Sequence, residues 1–147
     1  MMANACHPNR CGTANILVVK QNNVKLRMEL ELFLNRLETQ PNDVEFPDVI
    51  ALINQLYDYV PTGFRNHNLI NEPGQNTGSC KLFAFARLHD LSDEQTLACF
   101  GAYYRADVKK NPDGDSHPNI RQFMETGWDG IEFEGVPLRA KHPQQQD

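Results

Sequence analysis

Gln75-Asn-Thr-Gly-Ser-Cys-Lys-Leu-Phe-Ala-Phe-Ala-Arg-Leu88 is a polar, glycine-containing turn that runs straight into an apolar segment. Gly74 and Gly78 bracket the turn, and Thr77 or Ser79 is expected to cap the helix by accepting a bond from an orphan backbone N–H. Leu82, Phe83, Phe85, Ala86 and Leu88 leave only Lys81, Arg87 and Ala84 for solvent. A segment apolar on most sides reads as a buried central helix, expected over about 79–88. The rest of the chain then has to pack around it. Cys80 falls in the first turn, where the helix dipole favours negative charge and would lower a thiol pKa. A bound anion would suit the same place.

Working outward, helix one is expected over 27–38, because Leu30, Phe33, Leu34 and Leu37 lie on one helical face. Helix two is expected over 47–59, with Pro47 at its first position and Val49, Ile50, Ile53, Leu56 and Tyr57 buried. Residues 62–78 lack helical periodicity. Phe64 and Leu69-Ile70 suggest two short strands about an Arg65–Asn68 turn. Ordered loops of this length are uncommon unless they have a function.

Beyond the central helix, Ser92-Asp-Glu-Gln95 is a capping-box pattern, expected to open a helix over 93–109. One of Tyr103 and Tyr104 must reach the surface. Asn111-Pro-Asp-Gly114 is a turn. Residues 118–126 form a fifth short helix, with Ile120, Phe123 and Met124 inward and Gly127 as its stop. The apolar period then changes to two: Ile131 and Phe133, a turn at Glu134-Gly135, then Val136 and Leu138. This predicts a terminal hairpin. The fold class is therefore α+β: four to five helices around the central one, with a small antiparallel sheet that includes the C-terminal hairpin.

The chain has 147 residues, 40% apolar and 22% charged, which fits one globular domain with a real core. A net charge of −5 argues against general binding of nucleic acid or anionic membranes. No run of 18 apolar residues occurs, so no membrane span is expected. Residues 1–27 read as a disordered or extraneous extension, with Met28 as an alternative start of translation. The domain is expected over 28–140, and 141–147 read as a polar tail. Cys6-His7 with Cys11 lacks a fourth ligand, so no metal site is expected, and no cofactor is implied. The four cysteines imply no disulfide framework and fit a reducing cytoplasm.

From 44 to 138 the chain resembles the HopJ type III effector family. The matching motifs include Val44-Glu-Phe46, Tyr57-Asp-Tyr-Val-Pro-Thr-Gly-Phe64, Asn71-Glu-Pro-Gly-Gln-Asn-Thr-Gly-Ser-Cys-Lys-Leu-Phe-Ala-Phe-Ala86 and Leu91-Ser-Asp-Glu-Gln-Thr-Leu97. Phe100-Gly-Ala-Tyr-Tyr-Arg105, Asn119-Ile-Arg-Gln-Phe-Met124 and Gly127-Trp-Asp-Gly-Ile-Glu-Phe-Glu-Gly135 follow in the family's order. The resemblance implies a small bacterial protein, cytoplasmic or delivered into a host cell by a type III system. It brings no settled activity and no catalytic residues.

Two functional readings follow. The first is a non-enzymatic binding protein using the loop and helix start over 65–81: Asn66, Asn71, Gln75, Asn76, Ser79 and Lys81. Its partner would be a protein or a small polar ligand. The second is a cysteine-dependent hydrolase or transferase. Gln75 to Cys80 is similar to the cysteine-protease pattern in which a glutamine precedes Gly-Ser-Cys at a helix start. Cys80 would be the nucleophile, His117 the base, and Gln75 or Asn76 the oxyanion donor. The match is incomplete. Its spacing is one residue short, Lys81 replaces the usual aromatic, and His117 follows by only 37 residues. The Asp113–His117 segment departs from a calcium loop, lacking the glycine and terminal glutamate such loops need.

Overall fold

The computed structural model describes residues 8–141, with side chains described from Gln21 onward. Helix α1 runs Pro8–Thr39 and is followed by a 3₁₀ turn at Pro41–Asp43 and by α2, Phe46–Leu56. Strands β1 Tyr57–Tyr59, β2 Phe64–Asn66 and β3 Leu69–Asn71 come next, then the central helix α3, Thr77–Leu88. Helix α4 (Asp93–Ala98) precedes a π-helical stretch at Tyr103–Val108, and α5 (Pro118–Thr126) runs into a 3₁₀ turn at Gly127–Gly130. Strands β4 Ile131–Phe133 and β5 Leu138–Ala140 end the described chain.

The α+β architecture is as expected, and α3 is its centre. Cys80, Leu82, Phe83, Ala84, Phe85 and Ala86 are all buried, so the helix contacts the core on every side. Phe83 is the hub. Its ring centroid lies 5.0 Å from that of Phe123, 5.5 Å from Phe100, 5.9 Å from Phe64 and 6.2 Å from Trp128. These are the tilted and edge-to-face separations that aromatic quadrupoles favour. Leu88, expected inside, is exposed at the helix end, as is Met124 on α5.

Both strands of the C-terminal hairpin are present. The chain turns between them, and each pairs outward with a different sheet. β4 lies antiparallel to β2, which also carries β3; β5 lies antiparallel to β1. The pairing of Tyr57–Tyr59 with 138–140 explains why α2 ends at Leu56 and not at 59: those residues gain a ladder partner that local periodicity could not reveal.

Two other boundaries differ from expectation. Helix α1 begins at Pro8, well upstream of 27, and its Asn23 is buried. The Cys6-His7-Cys11 pattern and residues 142–147 lie outside the described side chains. The single helix expected over 93–109 is broken at Gly101, which has φ +61°. A Cβ there would stand 2.8 Å from both Glu45 Oε1 and Phe46 N, so the backbone of the α2 entry occupies the space. The capping box forms as expected, with Gln95 N donating to Ser92 Oγ and Ser92 N to Gln95 Oε1. Below the break, Arg105 ties the π-helical stretch to the same segment through Val44 O (2.9 Å) and Glu45 Oε2 (2.8 Å).

Gly101→Ala is expected to cost about 1–3 kcal/mol, because it combines an unfavourable φ with a backbone clash. Urea unfolding checks this, with the m-value unchanged.

Candidate functional site

The loop 62–78 is ordered by a polar network buried under it. The Asn71 and Asn119 side chains form a reciprocal amide pair: Asn119 Nδ2 donates to Asn71 Oδ1 (3.0 Å), and Asn71 Nδ2 donates to Asn119 Oδ1 (3.3 Å). Asn66 Nδ2 donates to the backbone O and the Oδ1 of Asn119 (2.9 and 3.1 Å). Asn76 Nδ2 donates to Asn71 Oδ1 (2.6 Å). Asn66, Asn71 and Asn119 are buried. Amides suit this role because each carries both donors and an acceptor. The network ties strands β2 and β3 and the head of α3 to the head of α5.

Above it lies a cleft of about 200 Å³. Asn76, Gly78 and Ser79 form one wall, His117, Pro118, Asn119 and Ile120 the other, and Phe46, Phe100 and Tyr103 the apolar lining. Both walls are first turns of helices. The residue before each helix is left-handed: Asn76 has φ 50° and His117 has φ 50°. Neither side chain caps its own helix. Asn76 is committed to Asn71. His117 Nε2 bonds Asp107 Oδ2 at 3.1 Å, and its ring stacks on Tyr103 with centroids 4.9 Å apart. The expected caps Thr77 and Ser79 are inside α3, and Thr77 Oγ1 instead donates to Gly74 O. The first-turn amides of α3 therefore face the cleft end of the helix without a side-chain acceptor. In α5 the proline supplies no N–H, and Ile120 N bonds His117 O at 3.0 Å, so that helix contributes mainly the amide of Asn119. Gly78 lets the apolar lining come close to its wall: a Cβ there would meet the Phe46 ring at 2.8 Å.

Of the expected binding residues, Asn76 and Ser79 line the cleft, and Asn66 and Asn71 brace it from below. Gln75 and Lys81 are used elsewhere. Gln75 Oε1 accepts from Glu72 N at 2.9 Å, closing the loop. Lys81 Nζ donates to Asn54 Oδ1 at 2.9 Å and sits over the Tyr59 ring. Asn119 was missed from sequence because it is an ordinary helix residue by periodicity. Its placement beside the left-handed His117 and next to Pro118 is the only local hint.

The expected nucleophile and base are not brought together at this cleft. Cys80 is 0% exposed, and its Sγ donates to Thr62 O at 3.5 Å. Burial pushes its thiol above the ordinary range, with the Tyr59 hydroxyl offsetting part of that. This is opposite to the lowering expected from the helix dipole: the cost of a desolvated thiolate outweighs the field of the helix. Cys99 is likewise buried, with its thiol pushed up to about 12. Burial also lowers His89, whose Nε2 lies 2.9 Å from the Tyr57 hydroxyl.

The comparisons with known proteins agree with the motifs. The family described as "HopJ type III effector protein" matches residues 30–138. The chain belongs to the HopJ family. A solved structure described as "Crystal structure of unknown function protein VPA0580" is 48% identical to this HopJ chain, with a TM-score of 0.75 over 76% of this chain and 93% of that one. No curated protein matches it. Among the described residues, no helix is long and apolar enough to cross a membrane.

Asn119→Ala is expected to destabilise the protein by about 1–3 kcal/mol, since it removes both halves of the buried amide pair with Asn71 and leaves Asn66 only the backbone O of residue 119; thermal and urea denaturation report it. Cys80 is expected to resist iodoacetamide at neutral pH in the native protein and to label fully on unfolding. Rapid native labelling, followed by mass spectrometry, would contradict the packing of its thiol.

Proposed function

We propose that this HopJ protein is a non-enzymatic binding protein whose contact site is the cleft between the first turns of α3 and α5. The ligand is a small polar group rich in acceptors or carrying negative charge, free or displayed on a partner protein. The observation that carries this reading is the convergence of two helix starts, neither capped by its own side chain, on one cleft. Backbone N–H groups and the positive end of a helix dipole favour an acceptor or an anion at such a place. The buried asparagine network supports the reading because it fixes the wall geometry before any ligand arrives, which lowers the ordering cost of binding. Phe46, Phe100 and Tyr103 supply apolar surface beside the polar wall, the mixture typical of small-ligand sites. The buried, raised thiol of Cys80 favours this reading over thiol catalysis.

The family description supports delivery of the protein into a host cell by a type III system, from a bacterial cytoplasm where it is made.

Titration with inorganic phosphate, followed by ¹H–¹⁵N NMR, is expected to shift the amides of Thr77, Gly78, Ser79 and Asn119 together, with saturation. Ser79→Trp, which fills the cleft from its polar wall, is expected to abolish those shifts while the spectrum of the core persists. Uniform small shifts over the whole surface, or no saturation, would refute an anion-accepting cleft.

A further inference from the structure

Helix α1 carries apolar residues on two opposite faces. The face formed by Leu30, Phe33, Leu34 and Leu37 packs on the core. The opposite face holds Val24, Met28 and Leu32, which are 51%, 56% and 65% exposed. They lie at i, i+4 and i+8, so they form one continuous strip along the helix and not scattered surface residues. Isolated exposed apolar side chains are ordinary, but a strip at helical spacing on the solvent side of an already packed helix is a contact surface in form.

The charges beside the strip indicate what covers it. Lys25 and Arg27 precede Met28, and Glu29 and Glu31 follow it. At 3.6 residues per turn, Lys25 and Glu29 lie on one flank of the strip, and Arg27 and Glu31 on the other. A twofold axis running between two such helices, perpendicular to both and level with Met28, sets them antiparallel and brings like flank to like flank. Lys25 then lies beside the second copy's Glu29, and Arg27 beside the second copy's Glu31, each pair occurring twice. Val24 meets the second copy's Leu32, and Met28 meets its own counterpart. Each flank gains two opposite-charge pairs against one like-charge pair at the same axial offset (Glu29 with its counterpart on one flank, Arg27 with its counterpart on the other), so the pattern is complementary on balance about its midpoint. Lys25 and Glu29 also stand four residues apart within one helix, but with the cation N-terminal to the carboxylate, the weaker order for an intrahelical pair.

We infer that the exposed face of α1 is a homodimer interface, with a second copy of this chain as its occupant in an antiparallel helix pair centred on Met28. Three apolar anchors per helix give a narrow seam, so the dimer is weak. The inference is independent of the cleft.

The test is sedimentation equilibrium of the full chain over a range of concentrations, alongside two charge-reversed chains. One carries Lys25→Glu with Arg27→Glu; the other carries Glu29→Lys with Glu31→Lys. All four substitutions alter side chains outside the core, and circular dichroism checks that helix content is kept. The wild type is expected to dimerise reversibly. Each reversed chain alone faces like charge across the twofold axis and is expected to dimerise at least about tenfold more weakly. An equimolar mixture of the two restores every opposite-charge pair and is expected to recover a one-to-one dimer. A wild type that stays monomeric up to about 1 mM overturns the inference and leaves the strip to a partner of another kind. A dimer indifferent to both reversals, or a mixture that fails to recover, overturns it as well.

Discussion

The structure depends on the burial of α3 from all sides. A helix with Leu82, Phe83, Phe85 and Ala86 inaccessible can exist only if other elements close around it. Phe83 draws on four of them: β2 through Phe64, the turn after α4 through Phe100, α5 through Phe123, and the turn after α5 through Trp128. Removing a ring so placed costs about 3–5 kcal/mol, a large share of the roughly 5–15 kcal/mol that holds a domain together. Other contacts are adjustments to this one. Trp128 donates its indole N–H to Leu91 O at 2.9 Å, and Arg87 lies over the same indole, so the rim of the core is closed by a polar and a cationic contact.

A buried helix creates a problem at its start. The orphan amides of its first turn need acceptors, yet Asn76, the residue placed to provide one, is turned inward to Asn71. The fold spends that asparagine on joining segments far apart in sequence. Asn71 and Asn119 are useful there because a buried amide with partners on both ends specifies one arrangement, whereas an apolar filler would tolerate several. The consequence is a rigid cleft floor with polar walls above it. The same compromise appears at α5, where His117 bonds Asp107 and stacks on Tyr103 in place of capping.

The cysteine shows why motif and environment must be weighed together. At a helix start the dipole lowers a thiol pKa, by an amount set by fractions of a charge. Complete removal from water raises it by more. Cys80 obeys the second effect because the loop that looks polar in sequence folds over it, with Thr62 O as its acceptor. Composition and spacing carried no information on that covering.

Much of the architecture was legible locally. The all-round apolar run fixed α3 as central. The capping box at Ser92, the extent of α5, the existence of β2 and β3, and the change to period two near the C-terminus all follow from nearest-neighbour chemistry; the turn between β2 and β3, expected over 65–68, is shorter because Arg65 and Asn66 pair within the sheet. Family membership was legible for a similar reason, since motifs in order survive without knowledge of their contacts. The tertiary structure alone decided what depends on distant partners. Tyr57–Tyr59 became a strand because 138–140 lies beside it. The helix after Ser92 broke at Gly101 because the backbone at 45–46 fills the space a side chain would need. Asn119 joined the site because Asn66 and Asn71 reach it from some 50 residues away in the chain. Hydrogen-bond ladders, close backbone approaches and desolvation act through space, and periodicity along one chain does not record them.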